Sequence, residues 1–377
     1  MLASAWFRIL WHNGFAISPS RLPFAAVITF YAIINSGLGL IQKLVFGRRI
    51  SNTSIDSSPI FIVGHWRAGT TLIHELLALD PRLAAPTTVD CFAPSHVLLT
   101  GWLLRRLPFL LPKGRPMDNM RVGWDRPQED EFALINLGYG SPYEMLVFPN
   151  RRGAGHPFVG LRDLPPSQVA AWKSGLLHFI RQVTLRACRE RSGSSLPRLV
   201  LKSPPHTARL RILKELFPNA RFVHVVRHPV DLFVSTMGLW HALCRTHGLQ
   251  RPEFGAIGST PAMRDHVLET MNLLYRDFSA AVAEIPPRHF CEVRYEDLVQ
   301  APMRELRRIY EQLELGSFTK VETRVTAHLE TIAEYRRNDH LISDRDRMDV
   351  VKHWAWYFER YGYEYPNPSL QRHRRTR

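Results

Sequence analysis

A glycine-bracketed loop after a short apolar run most constrains what this chain can fold into. Pro59-Ile60-Phe61-Ile62-Val63 is typical of a buried parallel strand, and Gly64-His65-Trp66-Arg67-Ala68-Gly69-Thr70-Thr71 follows it. The spacing G-x-x-x-x-G-x-T is that of a P-loop, with Thr70 where the lysine normally stands. Backbone N–H groups at the next helix N-terminus, two threonine hydroxyls and Arg67 predict a cradle for a phosphate-like anion. The alternative is a tight glycine turn that binds nothing.

Strand-like and helix-like stretches alternate along the chain. Further strands are predicted at 199–201, 221–226 and 289–293. Helices are predicted at 72–79, 165–191, 206–216, 229–243 and about 298–313. This alternation predicts an α/β fold, a P-loop-type three-layer sandwich with a central parallel sheet. Because no internal repeat interrupts it, residues 59–366 are predicted to form one domain.

A second anion-binding candidate follows the strand predicted at 221–226. Arg227 comes directly after this strand, and Ser235 lies two turns into the next helix. Ligands of open α/β sheets bind at the carboxyl edge of the strands, so the two side chains are predicted to meet one phosphate. An arginine that only caps the strand is the structural alternative.

The charge balance favours an anionic ligand, and the motifs missing from the sequence exclude other classes of site. The chain of 377 residues has 49 Lys and Arg against 34 Asp and Glu, a net charge of +15, which an overall arginine bias would also produce. Zinc-finger spacing, an RNP motif and a heptad-bearing basic helix are missing from the sequence, so no nucleic-acid partner is predicted. The four cysteines are scattered, and no metal site is predicted.

The N-terminal region contains the uncharged stretch 22–41, LPFAAVITFYAIINSGLGLI. Its length just reaches that of a membrane-spanning helix, although Pro23, Asn35 and Gly37 weaken the pattern. Residues 1–50 are therefore predicted to form membrane-associated or packing helices, 51–58 a linker and 367–377 a basic tail. The predicted location is cytoplasmic, either free or at the cytoplasmic face of the membrane.

Three blocks of sequence, taken together, resemble a known family. They are PIFIVGHWRAGTTL, VLKSPPHTARLRILKELFPNARFVHVVRHPVDLFVSTM and VRYEDL, in this order, within about residues 59–315. They are similar to blocks of sulfotransferases that use 3′-phosphoadenosine-5′-phosphosulfate (PAPS), and the bacterial group related to tyrosylprotein sulfotransferases matches best. The resemblance implies PAPS as co-substrate and no metal.

The resemblance also implies roles for individual residues. Those that would grip the 5′-phosphosulfate are Arg67, Ala68, Gly69, Thr70, Thr71 and Leu72. Arg227 and Ser235 would hold the 3′-phosphate, and Lys202 would lie near the transferring sulfuryl group. Lys352-His353-Trp354 loosely resembles a late cofactor-binding loop. Arg294-Tyr295-Glu296-Asp297-Leu298 matches a block interpreted as mostly structural, with Asp297 as a helix cap.

The general base does not carry over from these relatives. Cytosolic sulfotransferases have a histidine where this chain has Pro204, and tyrosylprotein sulfotransferases have a glutamate where it has Thr88. Three replacements are predicted: the cluster Gln128-Glu129-Asp130-Glu131-Phe132, with Glu129 or Asp130 as the base, His206, and Asp90. Helix N-terminal charge would equally explain the cluster, and helix capping would explain His206.

The predicted function is that of a sulfotransferase, which moves a sulfuryl group from PAPS to a hydroxyl or amine. The apolar N-terminus favours a glycan or lipid-linked acceptor, and its pocket is predicted within 91–158 and 239–263. A lysine-less P-loop kinase is one alternative, although it would need Mg²⁺ and an acidic residue at a strand end. A membrane-attached nucleotide-binding protein without catalysis is the other.

Overall fold

The computed structural model describes residues 1–112, 114, 122–151, 153, 155–191, 196–251, 261–332 and 342–366. The predicted basic tail, 367–377, lies outside the described residues, and so do parts of the two predicted acceptor stretches.

A five-stranded parallel sheet lies at the centre of this described part of the chain. Its strands are β1 Ile60–Val63, β2 Leu83–Ala84, β3 Arg198–Lys202, β4 Arg221–Val226 and β5 Phe290–Arg294. They are arranged in the order β2-β3-β1-β4-β5, and β1 pairs in parallel with both β3 and β4. Every residue of β1 is buried, so helices cover both faces of the sheet. The predicted P-loop-type α/β sandwich with a central parallel sheet is confirmed.

The helices have the following bounds: α1 Ala3–His12, α2 Leu22–Ser51, α3 Thr70–Leu77, α4 Thr88–Phe92, α5 Val97–Leu104, α6 Asp130–Leu137, α7 Glu144–Val147, α8 Pro157–Gly160, α9 Pro166–Glu190, α10 Leu210–Leu216, α11 Pro229–His247, α12 Pro261–Tyr275, α13 Phe278–Ala283, α14 Tyr295–Gln300, α15 Pro302–Gln312, α16 Thr319–Thr331 and α17 Asp344–Tyr361. Short 3₁₀ segments occur at Pro19–Arg21, Pro108–Leu110, Pro204–Arg209 and Pro287–His289.

Two predicted helices differ from the structure. The helix predicted at 206–216 begins as the 3₁₀ segment Pro204–Arg209 and becomes α-helical only at Leu210. The helix predicted at about 298–313 is divided between α14 and α15. Pro302 explains this break, because proline has no N–H to continue the ladder and is favoured at the first turn of a new helix.

Residues 1–51 fold into α1 and α2, which pack against the sheet-containing body. The α2 helix ends at Ser51, where the predicted linker begins. Pro19–Ser51 is the stretch of the described chain that is long and apolar enough to cross a membrane, and only 11% of its most apolar part is buried within the protein. Most of this apolar stretch is therefore not buried in the core.

A buried ionic cluster joins α6 to the 3₁₀ segment after β3. Asp130 accepts hydrogen bonds from the Ser203 hydroxyl and, at 2.7 Å, from Nε2 of His206. Arg209 donates to Glu131 at 2.6 Å. All five side chains are buried, and because each charge in the cluster has a partner, the start of α6 is fixed beside the carboxyl end of β3.

Asp130 gives the stability of this cluster a defined pH dependence. Burial acts to raise the pKa of Asp130, but His206, Ser203 and Arg209 hold it below the ordinary value of 3.8. A carboxyl with a depressed pKa contributes stability above its unfolded-state pKa and loses it as the pH falls through the lower folded-state value.

We predict that Asp130→Asn lowers the free energy of unfolding at pH 7 by about 3 kcal/mol, because one partner of a buried pair is removed. Urea unfolding of both proteins from pH 7 to pH 3 measures this, and the difference should shrink as the pH falls below 3.8. Asp125→Asn, in an exposed ion pair with Arg105, serves as the control and should change stability by less than about 1 kcal/mol. A difference that does not depend on pH would contradict the assignment.

Candidate active site

The glycine-bracketed loop turns sharply between β1 and α3. Gly64 has φ 141° and Gly69 has φ 105°. A Cβ on Gly64 would lie 2.5 Å from the carbonyl oxygen of Val225, and one on Gly69 would overlap the ring of Tyr295. Only glycine fits both positions, and α3 starts at Thr70 directly afterwards. The N-terminus of α3 therefore lies at the loop, and a helix N-terminus attracts an anion.

Arg67, Ser235 and Arg227 meet at this loop. Nε of Arg67 donates to the Ser235 hydroxyl at 3.0 Å, and the Arg227 guanidinium donates to the Arg67 carbonyl oxygen at 2.9 Å. The Arg227 guanidinium also lies over the ring of Tyr295, 4.6 Å from its centroid. Two strand ends and one helix thus bring two guanidinium groups and a hydroxyl together beside the loop, which are groups that bind phosphate or sulfate.

The R-Y-E-D-L block supports the turn that contains Arg227. Glu296 accepts a hydrogen bond from the backbone N–H of His228 at 2.9 Å and another from the Tyr363 hydroxyl at 3.0 Å. The prediction that Asp297 caps a helix is wrong. Arg294 occupies the cap position of α14, and Asp297 lies in the first turn. An acidic side chain there still interacts favourably with the helix dipole.

Lys202 and Glu129 form an ion pair beside the loop. Nζ of Lys202 lies 2.5 Å from Oε1 of Glu129 and donates to the Thr71 hydroxyl at 3.4 Å. The side chains are 3% and 13% exposed, respectively, so Glu129 is the member of the pair that solvent still reaches. A cation, a hydroxyl of the loop and a carboxylate are therefore in contact at the carboxyl edge of the sheet.

Tyr143 binds the second oxygen of this carboxylate and is itself held by Trp66. The Tyr143 hydroxyl donates to Oε2 of Glu129 and accepts from Nε1 of Trp66 at 3.0 Å. Burial, together with the neighbouring Glu129 carboxylate, raises the pKa of Tyr143 well above its ordinary value, so the hydroxyl keeps its proton and remains a donor. Glu129 is thus oriented by one hydrogen bond and one ion pair.

A row of stacked aromatic rings leads from this carboxylate to the surface. Phe132 stacks on Tyr143 with centroids 4.8 Å apart, and Phe92 stacks on Phe132 at 5.8 Å. Tyr143 is buried, Phe132 is half-buried and Phe92 is 46% exposed. Aromatic rings are therefore in contact from the solvent-exposed Phe92 to Tyr143, whose hydroxyl contacts Glu129.

The other predicted bases are engaged elsewhere. Asp130 and His206 lie in the buried cluster described above, where each has 0% exposure. Asp90 is also fully buried: one oxygen accepts from Thr87 in a capping box, and the other lies 2.9 Å from Nε of Arg186. Glu129, at 13% exposure, is more accessible to solvent than any of these three groups.

The tract Lys352-His353-Trp354 is not a loop. It lies within α17, where Trp354 has non-helical backbone angles and marks a kink. Lys352 and His353 are exposed, whereas Trp354 is buried and donates to the carbonyl oxygen of Leu268 at 3.1 Å. The end of the tract that loosely resembles a cofactor-binding loop is therefore helical in this chain.

Several residues of the site had no recognisable signal in the sequence. Tyr143 is separated from Glu129 by α6 and the turn that follows it, and its role depends on the direction in which its ring points. Tyr295 belongs to a predicted block, but its contact with Gly69 and Arg227 depends on the pairing of β4 with β5. Neither contact has a fixed sequence spacing.

Comparison with known proteins agrees with this geometry. A model described as "Sulfotransferase family" matches residues 59–107 and 168–320. Omega-hydroxy-beta-dihydromenaquinone-9 sulfotransferase Stf3 of Mycobacterium bovis and of Mycobacterium tuberculosis is 42% identical over 369 residues, which cover 98% of this chain and 92% of the relative.

Solved structures share the fold at low identity. Sulfotransferase STF1 from Mycobacterium tuberculosis H37Rv superposes with a TM-score of 0.66 at 17% identity, covering 93% of this chain and 90% of that one. Sulfotransferase STF9 from Mycobacterium avium gives 0.69 at 17% identity, covering 96% of each chain. The family match and the 42% identity to a sulfotransferase argue against the alternatives of a lysine-less P-loop kinase and of a nucleotide-binding protein without catalysis. The chain belongs to the sulfotransferase family and is a sulfotransferase enzyme.

Proposed function

We propose that the enzyme transfers a sulfuryl group from PAPS to the hydroxyl of an isoprenoid-type lipid, with Glu129 as the general base. The observation that carries the proposal is the position of Lys202, which contacts Thr71 of the anion-binding loop on one side and Glu129 on the other. One cation thereby connects the proposed donor site with the proposed base.

The residues at the loop fit PAPS by charge and by shape. Residues 67–72 would surround the 5′-phosphosulfate with N–H and hydroxyl donors, and Arg227 with Ser235 would hold the 3′-phosphate. Because Gly64 has no side chain, it can approach Val225 closely and leaves the turn unobstructed. When bound, PAPS supplies an activated sulfuryl group and a nucleotide leaving group.

Glu129 is proposed to take the proton of the acceptor hydroxyl. Tyr143 donates to one carboxylate oxygen and fixes its orientation, while Lys202 neutralises the other. Lys202 and Arg67 place positive charge at the loop, where negative charge develops during transfer. Of the predicted bases, Glu129 alone has a side chain that is both partly exposed and in contact with Lys202.

A lipid acceptor is supported by a relative and by the aromatic row. Stf3, at 42% identity, is named for an omega-hydroxylated dihydromenaquinone. In this chain, the proposed acceptor route follows the aromatic row of Phe92, Phe132 and Tyr143, which ends at Glu129. A long apolar chain bearing a terminal hydroxyl matches such a path. Contact of residues 1–50 with the cytoplasmic face of the membrane would give the enzyme access to this acceptor.

We predict that Arg227→Ala weakens binding of 3′-phosphoadenosine-5′-phosphate by about tenfold or more, because a charge-assisted hydrogen bond to the 3′-phosphate is lost. Isothermal titration of the full chain measures this, with ATP and Mg²⁺ as the competing ligand. Arg211→Ala, which removes an exposed arginine paired with Glu284, should leave the affinity unchanged. Equal affinity of the Arg227 variant, or preference of the parent for ATP with Mg²⁺, would contradict the donor assignment.

We predict that Glu129→Gln lowers kcat by about 10²–10⁴-fold while binding of 3′-phosphoadenosine-5′-phosphate persists, because proton removal is lost but the loop is intact. Steady-state transfer from PAPS to an omega-hydroxylated isoprenoid quinol measures kcat. Glu215→Gln, at an exposed ion pair with Lys173, is the matched control and should behave like the parent. Full activity of the Glu129 variant would assign the base elsewhere.

We predict that Phe92→Ala raises KM about tenfold for an acceptor with a long isoprenoid chain and leaves KM unchanged for a short-chain analogue, since only the longer chain reaches the outer ring. The matched control is Tyr365→Ala, at 47% exposure against 46% for Phe92. An equal rise for both acceptors would indicate a general disturbance and would refute the path.

A further inference from the structure

The α2 helix docks on the body through small, polar and a few apolar side chains, and it turns most of its large apolar side chains outward. Its buried positions are Ala25, Ala32, Gln42, Phe46 and Ile50. Before Lys43, every large side chain that α2 exposes is apolar, and after it Leu44 is 78% exposed. The exposed large apolar side chains of α2 are Leu22, Val27, Phe30, Tyr31, Ile33, Ile34, Leu40, Ile41, Leu44 and Val45. A helix on the surface of a soluble protein has the opposite arrangement.

The inward polar groups of α2 are satisfied by the protein. Gln42 donates to Gln182 of α9 at 2.9 Å and accepts from the backbone N–H of Leu98 at 2.7 Å. Asn35 lies 2.9 Å from Nε2 of His96. The helix is therefore docked by specific hydrogen bonds, and its apolar face is left outward as a consequence of that docking.

Both ends of α2 are held on the body, which favours a helix that lies along the protein over one that leaves it to span a membrane. Near its start, Arg21 donates to the carbonyl oxygen of Arg245 at 2.7 Å. Near its end, the Arg189 guanidinium of α9 lies 5.2 Å from the Phe46 ring centroid. A helix of 30 residues is about 45 Å long, and this one has protein along one side from end to end. A spanning helix would need lipid contact around it for about 20 residues.

Three other elements expose further large apolar side chains. Trp11 of α1 is 74% exposed, and Phe109 of the segment Pro108–Leu110 is 76% exposed. Trp102 and Leu103 of α5, which packs against α2, are exposed as well. We call α1, α2, α5 and Pro108–Leu110 the lipid-facing surface. Tryptophan and arginine at its margin are typical of membrane interfaces.

The charge of this region complements an anionic bilayer. The first acidic residue of the chain is Asp56. Five basic side chains precede it, namely Arg8, Arg21, Lys43, Arg48 and Arg49. Basic residues beside an apolar helical face bind anionic headgroups, and each adds to the affinity.

We propose that the lipid-facing surface lies in the plane of an anionic bilayer, with the apolar side of α2 embedded among the acyl chains. This inference rests on the proposed function and deepens it. The α4 helix ends at Phe92, the outer ring of the aromatic row. Shortly after it, the Ser95 hydroxyl donates to the Asn35 carbonyl oxygen of α2 at 3.3 Å. A lipid acceptor enters the aromatic row from the membrane without crossing water.

Vesicle flotation with the full-length chain tests the surface. The parent should float with phosphatidylcholine vesicles that contain phosphatidylglycerol, and binding to phosphatidylcholine alone should be weaker. Leu40→Glu with Leu44→Glu should lower the bound fraction by at least about tenfold. Met348→Glu, at another exposed apolar side chain, should bind as the parent does. Failure of the parent to bind, or a stable dimer that excludes vesicles, overturns the proposal.

The in-plane orientation has its own readout. Ser20→Cys and Ser51→Cys lie at the two ends of the helical stretch, and both positions are exposed. In proteoliposomes, a membrane-impermeant maleimide added outside should label both variants to the same extent in molecules whose body faces outward. Protection of one end alone would show a spanning helix and overturn the proposal.

Transfer to a soluble short-chain acceptor without vesicles separates this inference from the proposed function. The double glutamate variant should keep the parent rate in that assay. If the parent transfers normally but does not bind vesicles, the proposed membrane binding is refuted and the sulfotransferase assignment stands. If the parent binds vesicles but transfers to no omega-hydroxylated isoprenoid acceptor, the proposed lipid acceptor is refuted and the membrane binding stands.

Discussion

The contact of Lys202 with both Thr71 and Glu129 is the interaction on which the site depends. β3 ends at this lysine, and its pairing with β1 aligns it with Ile62, close to the glycine-bracketed loop that follows Val63. A nearly buried ammonium needs a counter-charge, and Glu129 supplies it at 2.5 Å. In the proposed function, an anion bound at the loop competes with Glu129 for this lysine. Occupation of the donor site is thereby coupled electrostatically to the proposed base.

Three successive acidic residues serve three different purposes because a helix begins among them. Glu129 is the cap residue of α6 and points to Lys202, whereas Asp130 and Glu131 lie in the first turn. Asp130 pairs with His206, and Glu131 pairs with Arg209. Successive side chains of a helix project in different directions, so one acidic cluster both anchors α6 and leaves one carboxylate accessible.

The sequence predicted what depends on local pattern and failed where tertiary contacts decide. Strand 221–226 and the loop at 64–71 were predicted correctly, because apolar runs and glycine spacing are local signals. Strand β2, with two residues, gives no such signal. The choice between Glu129 and Asp130 depends on the position at which α6 begins, which spacing does not determine within a residue. Tyr143 could be connected with Glu129 only through the fold.

The same limit applies to the N-terminal helix. Mean hydropathy along 22–41 does not distinguish a spanning helix, a core helix and a helix that exposes its apolar side, since all three are apolar overall. What separates them is the position of Gln42 and Asn35, both of which face the protein and are hydrogen-bonded there. Because these hydrogen bonds fix the inner side, the outer side can be largely apolar without loss of a defined docking geometry. In the proposed membrane-bound orientation, the contacts that anchor α2 to the body would also determine how the active site faces the bilayer.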